Sequence, residues 1–281
     1  MAEIALPDIG LPDIQLDGRV VILTGADRGL GRAMSLALAR SGARMVLASP
    51  ETAGLEAVAG EIAEIAGTEG ALAVPTDITD LAACNALVAR TLDHFGALDV
   101  LVNNARRLHR GPGIPPTGNA MPIFETNPEI WRETVMVNVV GTYFMTYATL
   151  PHFIGQGAGR IVNLSTSLHN FYRAKQSPYG VTKAAIESET QIWSRDLSDT
   201  GVAVNSLLPG GACDSDPDRV RTPGQTLLPI DIMNPLVIWL ASTRSDGVTG
   251  HRFVGKLWDP ALDPDAAAQG AREEPVFHGQ E

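Results

Sequence analysis

The chain has 281 residues, 44% of them apolar and only 5% aromatic, and carries a formal charge of −11 at neutral pH. That length and composition suit one large α/β core without a second domain, and the acidic balance excludes nucleic acid as a partner. Two cysteines, Cys84 and Cys213, offer no disulfide framework, the N-terminus lacks a basic segment followed by an apolar one, and no apolar run approaches the ~20 residues of a membrane span, so a cytoplasmic protein without membrane contact is expected.

Residues 1–15 read as an N-terminal arm. They hold a five-residue echo, Leu6-Pro7-Asp8-Ile9 and Leu11-Pro12-Asp13-Ile14, whose prolines resist regular structure, and the segment is either a loose arm or a strap across a neighbouring subunit. From residue 16 to 259 short apolar runs alternate with longer helical patterns. Strands are expected near Val20–Thr24, Arg44–Leu47, Ala71–Val74, Val100–Val102, Ile161–Leu164, Ala203–Leu207 and Arg252–Val254. This alternation predicts a single-domain α/β fold, a doubly wound parallel sheet of about seven strands with helices on both faces. Ligands bind such a sheet beyond the carboxyl ends of its strands. Residues 260–281, with Asp263, Asp265, Glu273 and Glu274 among small residues, form an expected C-terminal tail, mobile or packed on a partner.

The motifs fall in those loops. Thr24-Gly25-Ala26-Asp27-Arg28-Gly29-Leu30-Gly31 lies between the first strand and the helical pattern Arg32 to Arg40. A strand, a glycine turn and a helix start together present backbone N–H groups and a positive dipole end to a phosphate. Glycine is wanted at Gly25 and Gly29 for backbone angles and close approach, and at Gly31 for tight helix–strand packing; the bland alternative is a plain turn. Asn103-Asn104-Ala105 follows the fourth strand, and Arg106, Arg107, His109 and Arg110 come next, either as a solvated loop or as an anion site. Asn138 stands inside a long apolar helical pattern, where a buried amide needs a partner. Ser165-Thr166-Ser167 ends the strand Arg160 to Leu164 with three hydroxyls.

Tyr179 and Lys183 are four residues apart, so a helix stacks them on one face, and a cation beside a phenol makes it a usable proton donor or acceptor. Ser177 is expected to cap that helix and Pro178 to fit its first turn, with the helix running to about Trp193.

The glycine loop, Asn103-Asn104-Ala105 and the Tyr179/Lys183 pair occur in the order and at the separations of the short-chain dehydrogenase/reductase family, and the chain resembles that family from about Leu16 to Gly255. The resemblance implies a Rossmann-like fold and an NAD(P)-dependent oxidoreductase that moves a hydride between the nicotinamide and a ketone or secondary alcohol. Tyr179 would act as general acid/base, and Lys183 would lower its pKa and bind the nicotinamide ribose. Family spacing, thirteen residues before the tyrosine and three after the strand asparagine, puts the second catalytic hydroxyl on Thr166. Ser167 takes that role if the intervening loop is one residue shorter. Asn138 becomes the fourth catalytic residue, holding a water that relays protons to Lys183.

The cofactor residues implied are Gly25, Asp27, Arg28, Gly29, Leu30, Gly31, Ser49, Asp77, Ile78, Asn104, Ala105, Tyr179, Lys183, Pro209, Gly210 and Ala212, with no metal. An NAD-selective member carries an acid after the second strand; here Ala48-Ser49-Pro50 puts Ser49 in that place, and with Arg28 this favours NADP, NAD remaining possible because Pro50 replaces a second cation. Asp77 would contact adenine, or else only cap a helix before Asp80. Two departures stand out: Arg106 in place of the family's glycine, and Asp214 in place of a threonine that contacts the carboxamide. The loop Ser215 to Leu228, rich in Asp and Arg, and the arginines suggest a small-molecule substrate with anionic character. Alternatives are a 3-oxoacyl thioester reductase and a cofactor-bound regulatory protein without turnover. A homodimer or homotetramer is expected, since family members pair through their long helices.

Overall fold

Strands built almost wholly from Val, Ile, Leu and Ala have no polar face, and a sheet of them must be covered on both sides. The computed structural model, which describes residues 11–108, 121–215 and 226–277, shows that arrangement. Seven strands, β1 (Val20–Thr24), β2 (Arg44–Ser49), β3 (Ala71–Pro75), β4 (Val100–Asn103), β5 (Gly159–Leu164), β6 (Val202–Leu208) and β7 (Arg252–Val254), pair in parallel in the order β3-β2-β1-β4-β5-β6-β7. An eighth, β8 (Arg272–Glu273), pairs antiparallel with β7. Among the described residues the sheet therefore has eight strands rather than about seven, because a two-residue strand leaves no period in the sequence.

The helices are α1 (Gly29–Arg40), α2 (Thr52–Ala66), α3 (Leu81–Phe95), α4 (Pro128–Val135), α5 (Gly141–Gln156), α6 (His169–Tyr172), α7 (Tyr179–Asp196), α8 (Asn234–Ala241) and α9 (Pro264–Gly270). Alternate residues of β1 serve opposite layers. Val21 and Leu23 join Met34, Leu38, Leu55 and Leu236, while Val20 and Ile22 join Leu87, Met145 and Phe153. No described helix is long and apolar enough to cross a membrane, and Cys84 and Cys213 are both buried and outside any disulfide among the described residues.

Three local expectations are corrected. Ser177 does not cap α7: its hydroxyl accepts a bond from Trp131 Nε1 at 3.1 Å, Pro178 stands at the cap position, and the helix continues to Asp196. Within the expected tail, α9 and β8 pack on their own chain, since α9 buries Ala267 and Ala268 and leads into β8. At the other end, Ile14 and Leu16 are buried in the core and Leu16 N–H donates to Ser41 O at 2.7 Å. The first half of the proline echo lies outside the described residues. Winding reverses between β1 and β4, which are neighbours in the sheet, and the crevice at their carboxyl ends is where such a sheet takes a ligand.

Candidate active site

The glycine loop closes on itself and on β4. Gly25 and Gly29 have φ of +67° and +56°, in the left-handed region that disfavours a side chain. A Cβ on Gly31 would stand 2.0 Å from Gly25 O and 2.7 Å from Asn104 Nδ2, so only glycine lets α1 start this close to β1. Asn104 Nδ2 donates to the carbonyls of Thr24 at 2.8 Å and Gly25 at 3.0 Å, and the N–H groups of Asn104 and Ala105 donate to Thr24 Oγ1 at 3.1 and 3.0 Å. Arg28, at the cap position of α1, supplies no side-chain cap, and the first turn holds no acid. Its N–H groups and dipole thus remain available to an anion, and the tight loop gives a pyrophosphate close backbone approach, so these residues fit a dinucleotide.

Around this cradle the other expected cofactor residues are placed as follows. Asp27 lies against Gly54 of α2, where a Cβ would meet its own at 2.8 Å, and Leu30 packs on the core from the first turn of α1. Ser49 is buried at the end of β2 and accepts from Glu51 N–H at 3.3 Å. The Arg28 side chain is 87% exposed and meets Asp27 at 3.5 Å. Asp77 accepts from the N–H and hydroxyl of Thr79 at 2.9 and 2.7 Å, closing a turn; the cap of α3 is Asp80, which accepts from Ala82 N–H at 2.8 Å. Ile78 packs on Gly141, where a Cβ would lie 2.6 Å away. Past β6, Gly210 has φ of +88°, Pro209 O accepts from Lys256 N–H at 3.1 Å and Ala212 O from Leu228 N–H at 2.8 Å. Asp214 N–H donates to Leu228 O at 2.9 Å, and Ser215 O would lie 3.2 Å from a Cβ on Gly29, which joins this segment to the glycine loop. His109, Arg110 and most of the loop after Ser215 fall outside the described residues.

At the ends of β4 and β5 a buried amide ladder fixes the neighbouring elements. Asn103 Nδ2 donates to Asn163 Oδ1 at 3.0 Å and Thr146 Oγ1 at 3.1 Å, and Asn163 Nδ2 donates to Thr190 Oγ1 at 3.0 Å, so β4, β5, α5 and α7 share one network. Lys183, 3% exposed, donates from Nζ to Leu164 O at 2.6 Å. Thr166, two residues on, is buried; its hydroxyl accepts from Asn170 Nδ2 at 2.7 Å and its carbonyl from Arg252 Nη2 at 2.8 Å. Ser167 is half-buried, and the Ser165 hydroxyl is buried without a partner. Tyr179 is half-buried in the first turn of α7, one turn before Lys183.

Asn138 sits in a single π-helical turn, Met136–Val140, between α4 and α5, a distortion often found where a helix carries a functional side chain. Its Oδ1 accepts from Arg107 N–H at 2.7 Å, and Nδ2 donates to Arg107 O at 3.1 Å and to Thr182 Oγ1 at 3.1 Å. The amide therefore holds the arginine loop against the residue preceding Lys183. Arg107 also pairs with Glu133 at 2.6 Å, whereas Arg106 meets no acidic partner among the described residues.

The Lys183 ammonium is pulled down to about 7, chiefly by burial and next by the Arg106 cation, with the Glu187 carboxylate one turn away opposing both. Sequence reasoning missed Glu187, Arg252 and the main chain of Arg107. Two signals were present: an acid on the same helix face as Lys183, and an arginine in the middle of the last apolar strand.

Comparison with known proteins agrees with this geometry. Residues 19–222 match the family model described as short chain dehydrogenase. A short chain dehydrogenase/reductase of Aspergillus oryzae is 34% identical over 252 residues, covering 84% of this chain and 92% of its own. The crystal structure of 3-ketoacyl-(acyl-carrier-protein) reductase from Brucella melitensis, complexed with NADH, is 30% identical with a TM-score of 0.74 and covers 85% of this chain and 96% of its own. A short chain dehydrogenase from Shigella flexneri complexed with NADP is 27% identical, with a TM-score of 0.75 and coverage of 87% and 99%.

Proposed function

The chain belongs to the short chain dehydrogenase family, and from that premise we propose that Thr166, Tyr179 and Lys183 carry hydride exchange between a nicotinamide dinucleotide and a ketone or secondary alcohol. The observation that carries the assignment is Lys183, buried and bonded to Leu164 O, because it ties the Tyr–Lys helix to the strand end bearing Thr166. In this reading Tyr179 gives its hydroxyl proton to the carbonyl oxygen during reduction and takes it back during oxidation. Thr166, whose oxygen already accepts from Asn170, keeps its own proton to hold the same substrate oxygen. Lys183 holds the nicotinamide ribose and places positive charge beside the phenol. When bound, the nicotinamide supplies or receives the hydride. Asn138 serves by bracing Arg107 and Thr182.

The loop from Gly25 to Gly31 would hold the pyrophosphate, Asp77 and Ile78 the adenine, and Asn104, Ala105, Pro209, Gly210 and Ala212 the nicotinamide half. NADP is preferred over NAD: the exposed Arg28 can meet a 2′-phosphate, and Ser49 puts no carboxylate against it. Arg106 inclines the site toward small anionic substrates. A second reading, reduction of a 3-oxoacyl thioester, is favoured by the likeness to the Brucella reductase.

Titration with NADPH and NADH, followed by a panel of neutral and anionic ketones, alcohols and 3-oxoacyl thioesters, tests these readings. NADPH should bind more tightly, and Tyr179→Phe should lower turnover by roughly 10²-fold or more while dinucleotide affinity stays unchanged, the pattern of a lost general acid. Near-normal turnover in Tyr179→Phe would remove the mechanism.

A further inference from the structure

We propose that Arg252 is a positioning residue for the reacting site: its guanidinium locks the turn after β5 to α7, and Glu273 of the C-terminal strand completes the lock. Arg252 is 1% exposed and heads the largest fully buried side chains. Nη1 is ion-paired with Glu187, itself 1% exposed; Nε donates to Glu273 Oε2 at 3.0 Å and Nη2 to Thr166 O at 2.8 Å. The Phe171 ring lies 6.0 Å from the guanidinium carbon, and Ser206 Oγ donates to the two Glu187 oxygens at 3.2 and 3.0 Å.

A buried ion pair is a poor way to gain stability, since well-packed apolar side chains of the same volume serve as well or better. A planar fork supplies direction, because its donors fix several acceptors relative to one another. Two of the acceptors here belong to the site: the carbonyl of Thr166, and Glu187 one helical turn beyond Lys183. Arg252 thus sets the distance between the strand end carrying the hydroxyls and the helix carrying Tyr179 and Lys183. Arg252 and Glu273 lie beyond residue 222, where the family match ends. The proposal rests on the reading of Thr166, Tyr179 and Lys183 given above.

The test uses the full chain, NADPH, and the ketone of the panel reduced fastest. Arg252→Met combined with Glu187→Gln removes both charges together, so no unpaired ion stays buried. A folded double variant, shown by circular dichroism and a cooperative melt, should lose about tenfold or more in kcat while its NADPH dissociation constant stays within about twofold, as misplacement of reacting groups implies. A kcat within about twofold of the unmodified chain overturns the proposal. So does a fall in kcat matched by an equal loss of NADPH affinity, which marks a general structural role. If the double variant does not fold, Glu273→Gln decides, since this half-exposed acid can be neutralised without burying a charge: kcat should fall about threefold with NADPH affinity constant, and an unchanged kcat overturns the proposal. Tyr179→Phe separates the two layers. Retained turnover there sinks the site reading and the positioning role with it; loss there beside full activity in the Arg252 and Glu273 variants sinks the positioning role alone.

Discussion

Three consecutive hydroxyls follow β5, and their surroundings differ. Ser165 is buried without a partner, Ser167 is half-buried, and Thr166 has its hydroxyl oriented by Asn170 and its carbonyl by Arg252. An oriented hydroxyl with a free proton is the one suited to a developing charge on a substrate oxygen. Thr166→Val should therefore lower kcat by roughly 10²-fold with the fold intact, as for loss of one such donor, whereas Ser167→Ala should leave it unchanged. The opposite ranking would move the role one residue along. Motif spacing pointed to Thr166 with Ser167 as the alternative, but it gave no sign of Asn170 or Arg252. One bond is made inside an irregular turn and the other across 86 residues, and neither separation leaves a period in the sequence. Asp77 shows the same limit, since two acids three residues apart compete for one cap and only the fold assigns it to Asp80.

On α7 one buried and one half-buried group give opposite responses to pH. Lys183 is lowered from 10.5 to about 7, so between those values the unfolded chain holds a proton that the folded chain does not. Its contribution to stability rises with pH across that window and is lost as pH falls through about 7. Glu189 is raised by burial from 4.5 to about 7, so its contribution is present at low pH and lost as pH rises through about 7. Thermal melts of the dinucleotide-free protein should show this difference: Lys183→Met flattens the rise above neutrality, and Glu189→Gln flattens the decline below it. Identical pH profiles in all three proteins would show that neither group is desolvated. The helix itself was readable from the Tyr–Lys spacing and the strands from their apolar runs, with β1 and β7 matching to the residue. The start of α7 at Tyr179 was readable too, but its cap, the π-helical turn and β8 were not, because each depends on a tertiary partner: Trp131 for Ser177, Arg107 for Asn138, and β7 for Arg272–Glu273.

For the whole molecule, the outer faces of α5 and α7 expose Tyr143, Tyr147 and Ile154 on one helix and Val181 and Ile192 on the other. Apolar side chains repeated along two long helices mark a surface that a second copy can cover. A homodimer or homotetramer is expected by light scattering, and Tyr147→Glu with Ile192→Glu should shift it to monomer; an unchanged mass would place the contact elsewhere. Among the described residues the two margins of the sheet are the weaker route. One margin is β3, which ends on Pro75, a residue with no N–H to donate, and the other is β8, two residues long. The longest strands, β2, β5 and β6, lie inside the sheet, each with a parallel neighbour on either side. The backbone groups of these longest strands are thereby satisfied within the fold and kept from seeding a growing fibril, in a chain of −11 charge.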